Sequence, residues 1–192
     1  NTVQPNVDDI QPHSVKIQPE KQRTLTTIDK VTLALNALRS ENWELAQKSA
    51  RFLREFSEKM RGTKDLRIIT PLCEALSEDN WHVRWAVAES LAWLQHPDAI
   101  PYLVKRLNDH HWMVQVAVIR ALVELEASQH AIDIAGLLAH PNNAVRETAA
   151  EALGALGNPQ VLQALERTIE MDDDFIRLAS IKAICQIFND DR

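Results

Sequence analysis

Residues 76 to 94 read LSEDNWHVRWAVAESLAWL, and the stretch returns three more times. Residues 107 to 125 read LNDHHWMVQVAVIRALVEL, residues 138 to 156 LAHPNNAVRETAAEALGAL, and residues 169 to 187 IEMDDDFIRLASIKAICQI. Each copy begins 31 residues after the one before. Self-similarity at a period of this size predicts a repeat solenoid, because one unit cannot bury its own apolar face and must stack on the next.

The aligned positions say what each unit is. Val83, Val114, Val145 and Ile176 share one register; Leu91, Leu122, Leu153 and Ile184 share another; Leu94, Leu125, Leu156 and Ile187 a third. Those spacings lie on one face of a 3.6-residue helix. Small residues recur between them: Ala86 with Val87, Ala117 with Val118, Thr148 with Ala149, Ala179 with Ser180. They let neighbouring helices approach closely. A shorter apolar stretch precedes each copy, as in Ile100, Leu103, Val104 and Leu107. Each unit therefore reads as helix A, a polar turn and helix B. Asp79 with Asn80, Asn108 with Asp109, Asn142 with Asn143, and Asp172 to Asp174 are placed to accept from the free N–H groups opening helix B. Gly157, Asn158 and Pro159 stop one helix and start another, and Pro97 does the same after His96.

This pattern, with WHVR, NAVR and DFIR at the start of helix B, resembles HEAT repeats, in particular the bacterial HEAT-like subclass named after the phycobilisome lyases. The resemblance spans about residues 26 to 188 and implies an all-α fold, an α-α superhelix of about five hairpins. Repeats are expected over about 26–62, 63–95, 96–126, 127–157 and 158–188. The family also implies a ladder of arginines reaching the next turn's acids. Arg84, Arg146 and Arg177 fit it, and Gln115 leaves a gap. Repeats of this kind serve unrelated proteins, so the resemblance bears on fold more than on function.

The ends depart from the period. Residues 1–25 carry VQP, IQP and IQP spaced by seven and read as an extended or disordered segment, a linker or an arm docking through Val3, Val7, Ile10 and Ile17. The chain opens with Asn and no signal-peptide pattern, which reads as a processed chain or a piece of a longer one. Residues 26–62 read as a divergent, capping first repeat. Its offset to the next copy is 38, so about seven residues are inserted near Ser57 to Thr63, and a long second helix ending at Gly62 would absorb them. That region is locally basic (Lys48, Arg51, Arg54, Lys59, Arg61, Lys64, Arg67), read as a solvated helix face or a docking patch for an acidic partner.

Trp43, Trp81 and Trp112 share one turn position, which predicts rings packed between adjacent turns. Trp85 and Trp93 fall outside the core register. With Glu89 they lie at i, i+4 and i+8, on an outer stripe of helix B. Met113, Val116 and Arg120 extend the stripe into the next unit, so these six residues form the candidate partner-binding face. In the last helix, Leu178, Ile181, Cys185 and Phe188 form a second apolar stripe, read as a self-association face or the seat of a further repeat.

Composition narrows the chemistry. The formal net charge is −6, which argues against nucleic-acid binding, and no run of about 18 apolar residues predicts a membrane span. Four glycines build no phosphate cradle, and seven histidines show no metal-ligand spacing, so no cofactor and no metal are expected. Cys73 and Cys185 read as buried thiols in a reducing compartment, hence the cytoplasm. The leading expectation is a non-catalytic scaffold presenting a concave helical groove to a protein partner. The alternative implied by the resemblance is a phycobilin lyase or isomerase, or a phycobilisome-handling subunit, with Glu89 facing a pyrrole N–H.

Overall fold

The computed structural model describes residues 25–170 and 174–190; the QP-containing segment expected at the N-terminus lies outside the described residues, Leu25 excepted. Among the described residues ten α-helices follow one another: α1 Thr27–Leu38, α2 Trp43–Lys59, α3 Leu66–Ala75, α4 Trp81–Leu94, α5 Ile100–Val104, α6 Trp112–Glu124, α7 Ala131–Ala135, α8 Asn143–Leu156, α9 Leu162–Ile169 and α10 Asp174–Asp190. They pair as five hairpins, and no strand occurs among the described residues. The even-numbered helices form one layer, α4 packing on α2 and α6, and α8 on α6 and α10. The odd-numbered helices cover the other side. This is the α-α solenoid that the 31-residue period predicts.

Local chemistry sets the helix ends. Thr26 and Asp29 make a reciprocal capping box at α1. Asn42, Asn80 and Asn142 accept from backbone N–H groups opening α2, α4 and α8. At α6 the expected Asn108 and Asp109 do not cap. His111 Nδ1 accepts from the Met113 N–H instead, and the Asp109 carboxylate is used elsewhere. Gly157 ends α8 in the left-handed region at φ 63°, and the Asn158 side chain then opens the next turn, as the sequence indicates. The helix expected to run to Gly62 ends at Lys59. Gly62, at φ 71°, instead donates its N–H to Leu94 O at 3.0 Å, tying the first hairpin to the second.

The core is one continuous cluster built from the aligned positions. Leu53, Leu72, Leu91, Leu94, Leu103, Leu122, Leu153 and Leu165 are fully buried, each side chain contributing about 1.5–3 kcal/mol through burial. Cys73 is buried as expected, but Cys185 is exposed, because no described element covers its face of α10. Of the three turn tryptophans, Trp81 packs between units as expected, and Trp112 stays exposed. The Trp81 ring stacks on His111 of the next turn at 3.7 Å, while Trp43 meets only the edge of His82 and stays 62% exposed.

Polar ties stitch successive units. Arg84 Nε and Nη2 donate to Asp109 Oδ2 and Oδ1, both at 2.7 Å, and Arg84 Nη1 donates to the carbonyls of Glu78 and Asp79. Both side chains are buried. Arg146 repeats the carbonyl contacts on His140 and Pro141. Gln115, at the same register, donates only to Leu107 O of its own unit, which is the gap expected in the ladder. Burial raises the Asp109 carboxyl, but hydrogen bonds from Arg84 and the His111 amide, with the charges of Arg84 and Arg106, outweigh it and hold Asp109 below its ordinary value.

Asp109→Ala leaves a buried guanidinium without its carboxylate. The expected cost is about 3–5 kcal/mol, read as a fall in Tm of roughly 10 °C. In the wild type the pair's contribution is complete above the ordinary carboxylate range and is lost as pH falls through the lower folded value. Thermal melts of both proteins against pH check this: their difference should shrink only in strong acid.

Candidate functional site

The even-numbered helices bury their apolar sides and turn one stripe outward. On α4 that stripe is Trp85, Glu89 and Trp93, one turn apart. Trp85 is half-buried and packs on the core, and Trp93 is 39% exposed. Met113 and Arg120 are exposed on α6, with Val116 half-buried between them. The structure therefore brings five of the six sequence-derived residues, Trp85, Glu89, Met113, Val116 and Arg120, around one hollow of about 510 Å³. Trp93 lines a neighbouring hollow of about 250 Å³ between α4 and α6. A third, about 320 Å³, lies between α2 and α4. Glu89 lines all three.

Glu89 is half-buried, and among the described residues it makes no hydrogen bond or ion pair. Burial raises its carboxyl above the ordinary value; the charges of Arg54 and Arg120 pull the other way without cancelling the effect. The charge along the face is graded. Arg51 and Arg54 on α2 stand at one end, while Glu147 and Glu151 on α8 stand at the other. His82, beside the first hollow, is lowered by burial and by the nearby His111, so it is neutral at pH 7.

Arg51, Arg54 and Trp43 belong to this face but not to the set read from the stripe. The inserted residues shift the first unit's offset to 38, and that shift is the signal that places Arg51 opposite Glu89 in register. The rest of the basic region is not part of the face. Lys48 pairs with Glu44, Arg67 with Asp65, and Arg61 donates to Gln95. The histidines serve the backbone: His96, His111 and His140 each accept through Nδ1 from an N–H two residues on. Among the described residues no group of three His, Cys, Asp or Glu side chains gathers as a metal ion requires.

The end-face residues fall on the uncovered side of α10. Leu178 is 54%, Ile181 41% and Phe188 56% exposed, and Cys185 is exposed beside them. Phe175, at 72%, extends the stripe and was not in the sequence-derived set.

Stacked helical hairpins with a polar-aromatic outer stripe define an α-solenoid of repeats. The chain belongs to the HEAT-repeat family, whose model matches residues 31–122 and 100–185. No curated protein matches the sequence. Among solved structures, the complex of CpcE and CpcF of phycocyanin lyase from Nostoc sp. PCC7120 superposes with a TM-score of 0.67 at 21% identity, covering 96% of this chain and 71% of that one. An engineered protein superposes with 0.59 at 19% identity, covering 83% and 79%. Human deoxyhypusine hydroxylase gives 0.56 at 16%, covering 83% and 74%. These likenesses concern the fold. No helix among the described residues is long and apolar enough to cross a membrane.

An unpaired carboxylate held against burial costs the free protein stability. Glu89→Gln is expected to raise Tm at pH 7 by roughly 1–2 °C. The raised carboxyl disfavours the folded state only where it is ionised, so the gain should fade as pH drops through the carboxylate range. Melts of both proteins at pH 7 and pH 4 measure it; an equal or lower Tm at pH 7 contradicts the reading.

Proposed function

We propose that this chain is a non-catalytic interaction scaffold. In this reading its outer stripe, Trp85, Glu89, Trp93, Met113, Val116 and Arg120, with Arg51 and Arg54 at its edge, receives a protein partner. The observation that carries it is Glu89: a half-buried carboxylate without a partner, one turn from a tryptophan on either side, where three hollows meet. A carboxylate partly shielded from water and without a direct hydrogen bond or ion pair is stabilised when a ligand supplies its counterpart. Indole faces beside it offer large, rigid contact area of the sort that dominates interface energies. The graded charge fits a segment that lays acidic side chains toward Arg51 and Arg54 and basic ones toward Glu147 and Glu151. A reducing, cytoplasmic setting belongs to the same reading, because Cys73 is unpaired and burial pushes its thiol up to about 11.

A second reading draws on the likeness to the phycocyanin lyase subunits. Here the same face handles a linear tetrapyrrole, the tryptophans stacking on its rings and Glu89 accepting from a pyrrole N–H.

Affinity capture from the source cells, wild type beside Trp85→Ala/Trp93→Ala, separates the cases. The scaffold reading expects a protein retained by the wild type and lost by the double variant, with at least a tenfold weaker Kd for the purified partner and unchanged helical circular dichroism. Equal retention by both proteins sinks it. Titration with a linear tetrapyrrole tests the second reading: binding shifts the visible absorbance and quenches tryptophan fluorescence in the wild type alone.

A further inference from the structure

The centre of the outward stripe changes sign from helix to helix. Arg51 on α2, Glu89 on α4, Arg120 on α6, Glu151 on α8 and Lys182 on α10 share one register, at offsets of 38, 31, 31 and 31 residues. The row reads plus, minus, plus, minus, plus. Neighbours in it border the same hollow. Arg51 and Glu89 flank the one between α2 and α4, Glu89 and Arg120 the one that Trp93 lines, and Arg120 and Glu151 the one beside Met113. Each hollow also has an indole in its wall: Trp43 and Trp85 in the first, Trp93 in the second, Trp85 and Trp112 in the third.

Folding does not account for the alternation. Among the described residues none of the five forms an ion pair, whereas Arg84 and Asp109 meet at 2.7 Å. Packed helices stand about 8–10 Å apart. Charges separated by that much water are about one Debye length apart at physiological salt, so their attraction is mostly screened. Four of the five are exposed, and Glu89 is half-buried. The row is thus open to a ligand that supplies the opposite signs at the same pitch. That pitch selects a backbone conformation. A polyproline II segment rises about 3.1 Å per residue with three residues per turn, so residues i, i+3, i+6 and i+9 face one side, about 9 Å apart. A β-strand has a period of two and turns residue i+3 to its other face. An α-helix needs about seven residues for the same distance. The indoles decide between helix and polyproline II, because aromatic-lined grooves take up proline-rich segments whose extended shape is already fixed.

We propose that the outer stripe seats a polyproline II segment of a protein partner that carries charges of alternating sign at every third residue. Acidic side chains stand opposite Arg51 and Arg120, and basic ones opposite Glu89 and Glu151. The residues between the charges, prolines among them, lie against the indoles of the hollows. This inference rests on the scaffold reading and adds to it the partner's conformation and charge order. Electrostatic complementarity of this kind fixes register and excludes wrong partners more than it adds affinity.

Fluorescein-labelled peptides of equal composition test the charge order by fluorescence polarisation on the full chain. One carries Glu, Lys, Glu and Lys in turn, each separated from the next by Ala-Pro. The other carries Glu, Lys, Lys and Glu on the same spacing. The wild type should bind the alternating probe with a sub-millimolar Kd, about tenfold tighter than the second probe, and salt raised from about 50 to 500 mM should erase the difference. Arg120→Glu/Glu151→Arg changes two exposed positions and reorders the row to plus, minus, minus, plus. It should reverse the preference with unchanged helical circular dichroism. No binding of the alternating probe by the wild type, equal binding of the two charge orders, or tighter binding of an alanine-rich helical peptide with the same four charges at seven-residue intervals overturns the proposal. Affinity capture separates its failure from that of the scaffold reading. A protein lost by Trp85→Ala/Trp93→Ala but kept by Arg120→Glu/Glu151→Arg overturns the charge order alone, whereas equal retention by all three chains overturns both.

Discussion

Close approach of neighbouring helices in the even-numbered layer is the constraint on which everything else rests. No hairpin in this chain has enough apolar surface to bury its own core, so stability comes from stacking. Stacking depends on small residues where helix meets helix: Ala86 and Ser90 on α4, Ala117 and Ala121 on α6, Thr148 and Ala152 on α8, Ala179 and Ala183 on α10. Gly154 shows how tight the fit becomes, with no room for a methyl group before Ala183. Polar ties such as Arg84 to Asp109 set the rotation of one unit on the next, but they follow a spacing that the small residues permit.

The candidate face is a by-product of the same packing. Helices held that close turn the side chains between their contact lines outward, and the grooves between consecutive helices become the three hollows around Glu89. The core register tolerates only aliphatic and small residues, whereas the outward stripe can take anything. The stripe that carries two tryptophans around a half-buried carboxylate is therefore where the sequence departs most from its own aliphatic pattern.

The fold was legible because the 31-residue period repeats the same physical demands four times, and errors at single positions average out. The first unit was harder. Its offset of 38 obscured the correspondence of Arg51 with Glu89, so the basic residues read as either a solvated helix face or a docking patch for an acidic partner, and of them Arg51 and Arg54 line the hollow between α2 and α4. Periodicity also cannot tell a covered face from an uncovered one. Cys185 sits on an apolar helix face, which is why it read as buried, and Phe175 lies one turn before the stripe where the pattern gave it no role. At α6, the choice between Asp109 and His111 as cap was decided by a contact 25 residues away, the Arg84 guanidinium, which local sequence does not reveal.

Gln115 has a mechanical meaning. Among the described residues, side-chain hydrogen bonds or ion pairs join the first hairpin to the second, the second to the third and the fourth to the fifth. Gln115 keeps its amide within its own turn, and α6 packs on α8 mainly through the buried apolar cluster. Apolar contact has no preferred direction, so such a seam resists separation but yields to sliding and twist far more readily than a bidentate ion pair. The solenoid is thus a spring with one soft coil. On the proposed reading, that coil underlies the hollow of Met113, Val116 and Glu147, where its compliance would let the width of the face adjust.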